Sequence, residues 1–144
     1  MSSSNSTSTH QFHFTNDDID EEFLSDMQHM QSSIPIDVFK ALIQASIKLL
    51  TGGDASLTSL DHLLEALSPL SERTSPPMPP RKLVNMVRST TMFLQGSTKH
   101  NCKLDFVRED CERFGLEDER AQLVCNVYRK YFPAMSRLLI SQTL

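Results

Sequence analysis

Apolar residues recur along this chain at helical spacing. In IPIDVFKALIQASIKLLTGG, Val38, Phe39, Leu42, Ile43, Ala45, Leu49 and Leu50 form one wide face. Pro35 suits a helix start, and Gly52–Gly53 suits the left-handed turn that ends it. SLTSLDHLLEALSP places Leu57, Leu60, Leu63, Leu64 and Leu67 at i, i+3, i+6, i+7 and i+10, with Pro69 as the stop. These two segments predict a helical hairpin.

The prolines of SPLSERTSPPMPP predict an extended linker. Pro80 then opens RKLVNMVRSTTMFLQG, with Leu83, Val84, Val87, Met92 and Leu94 on the buried side and Gly96 as the stop. Leu104, Val107, Cys111 and Phe114 define a shorter helix, and Gly115 stands where a C-terminal cap belongs. Ala121, Val124, Cys125, Tyr128 and Phe132 define another, which Pro133 is expected to break before a last helix in AMSRLLISQTL. That last helix carries Met135, Leu138 and Leu139, expected to pack through Tyr128 and Phe132, while Ile140 and Leu144 face elsewhere. It has no Gly, Asn or Pro to close it.

No segment alternates apolar and polar residues at period two for long. The fold class expected is all-α: a single compact bundle of about six short helices. Residues 1–33 are expected to be an acidic tail. Its first fourteen residues, rich in Ser and Thr, are too poor in apolar surface to order. A short helix could follow in TNDDIDEEFLSDMQHMQ, capped by Asn16 or Asp17, with Ile19, Phe23, Met27 and Met30 as a narrow stripe. Residues 34–144 then form the helical domain.

Charge divides in the same way. The formal net charge is −4. Residues 1–33 hold six acids (Asp17, Asp18, Asp20, Glu21, Glu22 and Asp26) and no Lys or Arg, leaving a nearly neutral body. That argues against a general polyanion binder. The stretch from Arg73 to Lys103 is the exception, having no acid between Glu72 and Asp105. Arg81, Lys82, Arg88, Lys99 and Lys103 are candidate polyanion contacts there, for nucleic acid or an acidic phospholipid such as a phosphoinositide. The plainer reading is a solvated helix face.

Catalytic and metal chemistry find little support. Asp17–Asp18 and Glu21–Glu22 lie on a short exposed segment, where desolvation cannot tune a carboxyl for acid catalysis. No phosphate loop, nucleophile elbow or His-Glu-x-x-His is present. His10, His13 and His100 do not combine with Cys102, Cys111 and Cys125 in any zinc spacing. Three cysteines without a secretory leader read as reduced thiols, and no apolar run reaches membrane-spanning length. The expectation is a non-enzyme without cofactor or metal, cytoplasmic or nuclear.

FGLEDERAQLVCNVYRKYFPAMSRLLISQTL resembles the junction between the helical N-terminal domain and the COMM domain in COMM-domain-containing (COMMD) proteins. The matching positions are Gly115, Leu116, Glu119, Ala121, Arg137, Gln142, Thr143 and Leu144. Glu117 replaces the usual Ser or Thr cap, and Ser141 stands where Gly is common. VFKALIQASIKLL and RKLVNMVRSTTMFL also follow the family's order.

The resemblance implies a COMM domain beginning just beyond Leu144 that would cover Ile140 and Leu144. The family motif and candidate docking edge are then Gly115, Leu116, Glu119, Arg137, Leu138, Leu139, Ile140, Gln142, Thr143 and Leu144. It further implies an interaction subunit that works with other COMM-domain proteins and coiled-coil scaffolds. Such subunits assemble into the Commander complex and serve endosomal trafficking, with links to NF-κB and cullin-RING ligase regulation.

Overall fold

The computed structural model describes residues 12–52 and 59–143. They form six helices: α1 (Glu21–Ser32), α2 (Ile36–Thr51), α3 (Leu60–Ser71), α4 (Pro80–Lys99), α5 (Leu104–Arg113) and α6 (Asp118–Thr143). The described residues contain no strand. The all-α bundle expected from periodicity is the fold observed. Gly53, Leu57 and Leu144 lie outside the described residues.

The bundle is organised around α4, which packs against α1, α2, α3 and α6. Its buried side holds Leu83, Val84, Met86, Val87, Phe93 and Leu94, and also Ser89, Thr90, Ser97 and Thr98. Short polar side chains are tolerated there because most find partners: Thr98 Oγ1 donates to Leu94 O (2.8 Å), and Ser89 Oγ to Asp26 on α1 (2.8 Å). Met92, expected on the buried side, is 49% exposed.

The helix starts and stops follow their chemistry, with four departures. Asp20, not Asn16 or Asp17, caps α1, its side chain accepting from the Phe23 amide at 2.9 Å. Gly96 does not stop α4, which continues to Lys99. Pro69 lies inside α3. Pro133 lies inside α6, which runs unbroken. Proline removes a hydrogen bond to the carbonyl four residues back. Arg129 and Pro133 are both exposed, so water can serve the released carbonyl while Tyr128 and Met135 stay buried on the other side.

α2 and α3 are not the hairpin expected, since each packs chiefly on α4. Nor is the proline-rich connection extended. Thr74 is buried in it, accepting from the Met78 amide (2.6 Å) and donating to Ser71 O (2.9 Å). Arg73 pairs with Asp37 at its edge.

Two expected caps are present. Gly52 takes φ 67° at the end of α2. After α5, Gly115 takes φ 97°, the Leu116 amide reaches Cys111 O, and the Gly115 amide reaches Glu112 O, both at 3.0 Å. This pair of bonds is a Schellman motif, and it turns the chain into α6. At the start of α6 the Gln31 side chain accepts from the Glu117 amide at 2.8 Å, a cap supplied from α1 where Ser or Thr is usual.

Candidate interaction surface

The segment before α1 is pinned to the bundle. Asp110, fully buried on α5, accepts from the His13 amide with both oxygens and from the Phe14 amide with one, each at 3.0 Å. Burial raises its carboxyl above the ordinary value, against the pull of those amides and of His13 and Arg113. The Phe14 ring is buried among Phe23, Phe93 and Phe114, with centroids 5.2–5.9 Å away. Phe12 stacks on Phe114 at 4.9 Å, and His13 stacks on Phe106 at 4.1 Å.

Phe12–Phe14 therefore belong to the packed structure, although the composition of the first fourteen residues suggests otherwise. Residues 1–11 lie outside the described residues. Gly96 explains the close fit: a Cβ there would come within 2.5 Å of Phe14 O.

From this anchor, residues 15–20 run along one wall of an open groove of about 900 Å³. Asp17, Asp18 and Asp20 give that wall its charge. The opposite side is built by Met92, Gln95, Lys99 and His100 near the end of α4, and by Ser136, Leu139 and Ile140 near the end of α6. A smaller cleft of about 160 Å³ adjoins it, where Leu49 and Leu50 of α2 meet Met135, Leu138 and Leu139. Met92 and Ile140 are exposed, at 49% and 57%. Both side chains line the groove.

The candidate edge residues divide between the two ends of α6. Leu116 is buried below its start, with Gly115 and Glu119 exposed beside it. Arg137 and Ile140 are exposed near its end, with Leu138 and Leu139 half-buried. At 1.5 Å per residue the two groups lie roughly 30 Å apart, so they make no single surface. Met135, Leu138 and Leu139 pack towards α2 and α4, not on a helix ending at Phe132: Met135 Sδ is 3.9 Å from Thr98 Oγ1, and Leu138 approaches the Gly52 turn. Gln142 and Thr143 lie in the last turn, and nothing is described of their side chains.

Arg81, Lys82, Arg88, Lys99 and Lys103 are all exposed. Arg81, Arg88 and Lys99 share a stripe of α4 with Asn85, Met92 and Gln95, spaced by about 10 and 16 Å of helix rise. Separations of at least a Debye length leave their fields largely independent at physiological salt.

The three cysteines are buried free thiols. Burial, with the negative charge of Asp110, pushes Cys102 up to about 11, and burial raises Cys111 and Cys125 as well. Among the described residues no three His, Cys, Asp or Glu side chains converge as a metal site, and no helix is long and apolar enough to cross a membrane.

Sequence reasoning singles out neither Asp110 nor the Phe12–Phe14 pair, and it reads Gly96 as a helix stop. A signal for the anchor does exist: two phenylalanines two residues apart, inside a stretch otherwise rich in Ser and Thr.

Comparison with known proteins adds to this geometry. A family model described as the HN domain of COMMD2-7/10 matches residues 17–128. COMM domain-containing protein 7 of Dictyostelium discoideum is 36% identical over 62 residues, which cover 43% of this chain and 30% of that protein. The matched part thus spans about a third of the relative's length. No solved structure matches. The family span takes in the acidic segment from Asp17 and ends at Tyr128, before Met135 and the groove residues of α6. With the matched region covering most of the six-helix bundle, the chain belongs to the COMM-domain-containing family, through its helical N-terminal domain.

Proposed function

We propose that this chain is a non-enzymatic protein-interaction module, and that the groove between residues 15–20, α4 and the end of α6 is its docking face for a COMM domain of the family. The observation that carries the reading is the exposure of Met92 and Ile140 along that groove, on a bundle that otherwise buries most of its large apolar side chains. Covering such surface contributes about 25 cal/mol per Å². The acidic wall would add selectivity for a partner with basic residues beside its apolar ones.

On this reading the protein works as a subunit beside other COMM-domain proteins and coiled-coil scaffolds of the Commander complex. Its setting is the recycling of endosomal cargo from the cytoplasmic side, and its wider links are to NF-κB and cullin-RING ligase regulation. Family membership supports the interaction role, and the finer assignments extend it.

The test is titration of the chain against a purified full-length COMM-domain protein, with calorimetry as the readout. Wild type should bind and Met92→Glu/Ile140→Glu should bind at least about tenfold more weakly, as expected for two central apolar positions. Equal binding by a correctly folded double variant rejects the groove as the docking face.

A further inference from the structure

The face that receives Phe12–Phe14 is built like a peptide receptor. Asp110 binds main-chain amides, and among the described residues its hydrogen bonds all come from His13 and Phe14. Cys102 Sγ lies 3.4 Å from His13 O, so the same residue's carbonyl is met as well. Gly96 leaves the notch through which Phe14 O passes, and Glu109 lies 2.9 Å from His13 Nε2. These hydrogen bonds join residues 89–97 positions apart. Except for Phe23, the receiving groups all come from the chain after Met92.

The tether is the other half of the observation. Thr15–Asp20 has no regular secondary structure, and Asn16, Asp17, Asp18 and Asp20 are exposed. Six residues can span up to about 20 Å. A segment so joined can leave its site without unravelling a helix, and the same segment of a second molecule can then occupy the site in its place. Such exchange keeps every interaction at the site and differs only in tether strain and association entropy.

We propose that this face is a binding site for a Phe-X-Phe segment, filled in cis by residues 12–14, and that the same segment of a second copy of this chain can fill it in trans. The cis tether supplies an effective concentration of order millimolar, so it keeps wild-type molecules self-filled. The site adjoins the groove proposed for docking and shares Phe14, Phe23 and Gly96 with it, but the peptide titration reads a different binding event from COMM-domain docking.

The probe is a fluorescein-labelled peptide with the sequence of residues 10–17, standing for the second copy's segment and titrated against the full chain by anisotropy. Phe14→Ala, which weakens the cis occupant, should bind the peptide at least about tenfold more tightly than wild type. Adding Gly96→Leu to that variant should abolish binding. A Phe14→Ala protein with native helix content and no increase in peptide binding overturns the proposal.

Should Phe14→Ala fail to fold, hydrogen exchange on the wild-type chain decides. The His13 and Phe14 amides should exchange faster than those of Leu94 and Cys111, through local release. Equal protection at all four overturns it.

Discussion

The carboxylate of Asp110 holds the backbone amide of His13 with both oxygens at 3.0 Å, across 97 positions of sequence. That interaction, repeated at Phe14, fastens the beginning of the chain to α5 and fixes one wall of the groove. Replacing it with Asp110→Asn leaves one oxygen for the two amide donors and turns a side-chain NH2 toward them. A destabilisation of about 1–3 kcal/mol is expected from urea denaturation, the usual penalty for unsatisfied buried groups.

The pH dependence has a defined sign. Burial raises the Asp110 carboxyl in the folded state, so the fold binds this proton more tightly than the unfolded chain does. Its contribution to stability therefore falls as pH rises from the ordinary carboxylate range through the raised value, and is constant above it. Urea midpoints followed from the acid side of that range to neutrality should show this fall. In Asp110→Asn, this component should be missing.

Gly96→Ala separates two physical effects. Helix propensity alone favours alanine by about 1 kcal/mol. The added Cβ, however, would meet Phe14 O at 2.5 Å and Phe14 Cδ2 at 2.9 Å. Overpacking of this kind costs about 1–3 kcal/mol, so a net destabilisation and a lower Tm are expected. A rise in Tm would show that the segment does not lie where the structure places it.

Pro133→Ala should have the opposite sign. The proline interrupts the hydrogen bonding of a continuous α6 from its exposed side, and alanine restores the missing donor. Alanine is favoured in a helix interior by up to about 3 kcal/mol, so a stabilisation of roughly 1–3 kcal/mol is expected by chemical denaturation. An unchanged stability would mean that the helix is broken there after all.

Cys102, Cys111 and Cys125 should resist alkylation in the native protein. Raising Cys102 from its ordinary value to about 11 leaves about a hundredfold less thiolate at neutral pH, before steric shielding is considered. Mass spectrometry after iodoacetamide should find no adduct under native conditions and three in urea. Rapid native labelling of Cys111, the most buried of the three, would contradict the packing of α5 on α6.

Sequence periodicity resolves the elements whose determinants are local. The faces of α2 and α5, the glycine turn after α2 and the Schellman turn at Gly115 all follow from residues within a few positions of one another. What stays hidden depends on distant contacts. Gly96 resembles a helix stop until Phe14, 82 positions earlier, is found pressed against it. Pro133 resembles a break until Tyr128 and Met135, before and after it, are found buried along one continuous helix. Ser89, Thr90, Ser97 and Thr98 look solvated, yet they form part of the most enclosed helix surface. The family resemblance at the end of the chain locates Ile140, but the other wall of its groove comes from residues 15–20, whose composition reads as part of a tail.

The docking face is tested most directly by calorimetric titration of the chain with full-length COMM domain-containing protein 7 of D. discoideum, used as a family partner. Wild type should give saturable binding that Met92→Glu/Ile140→Glu weakens at least about tenfold, with helix content unchanged by circular dichroism. Undiminished binding by the double variant, or no binding by wild type, would contradict the account.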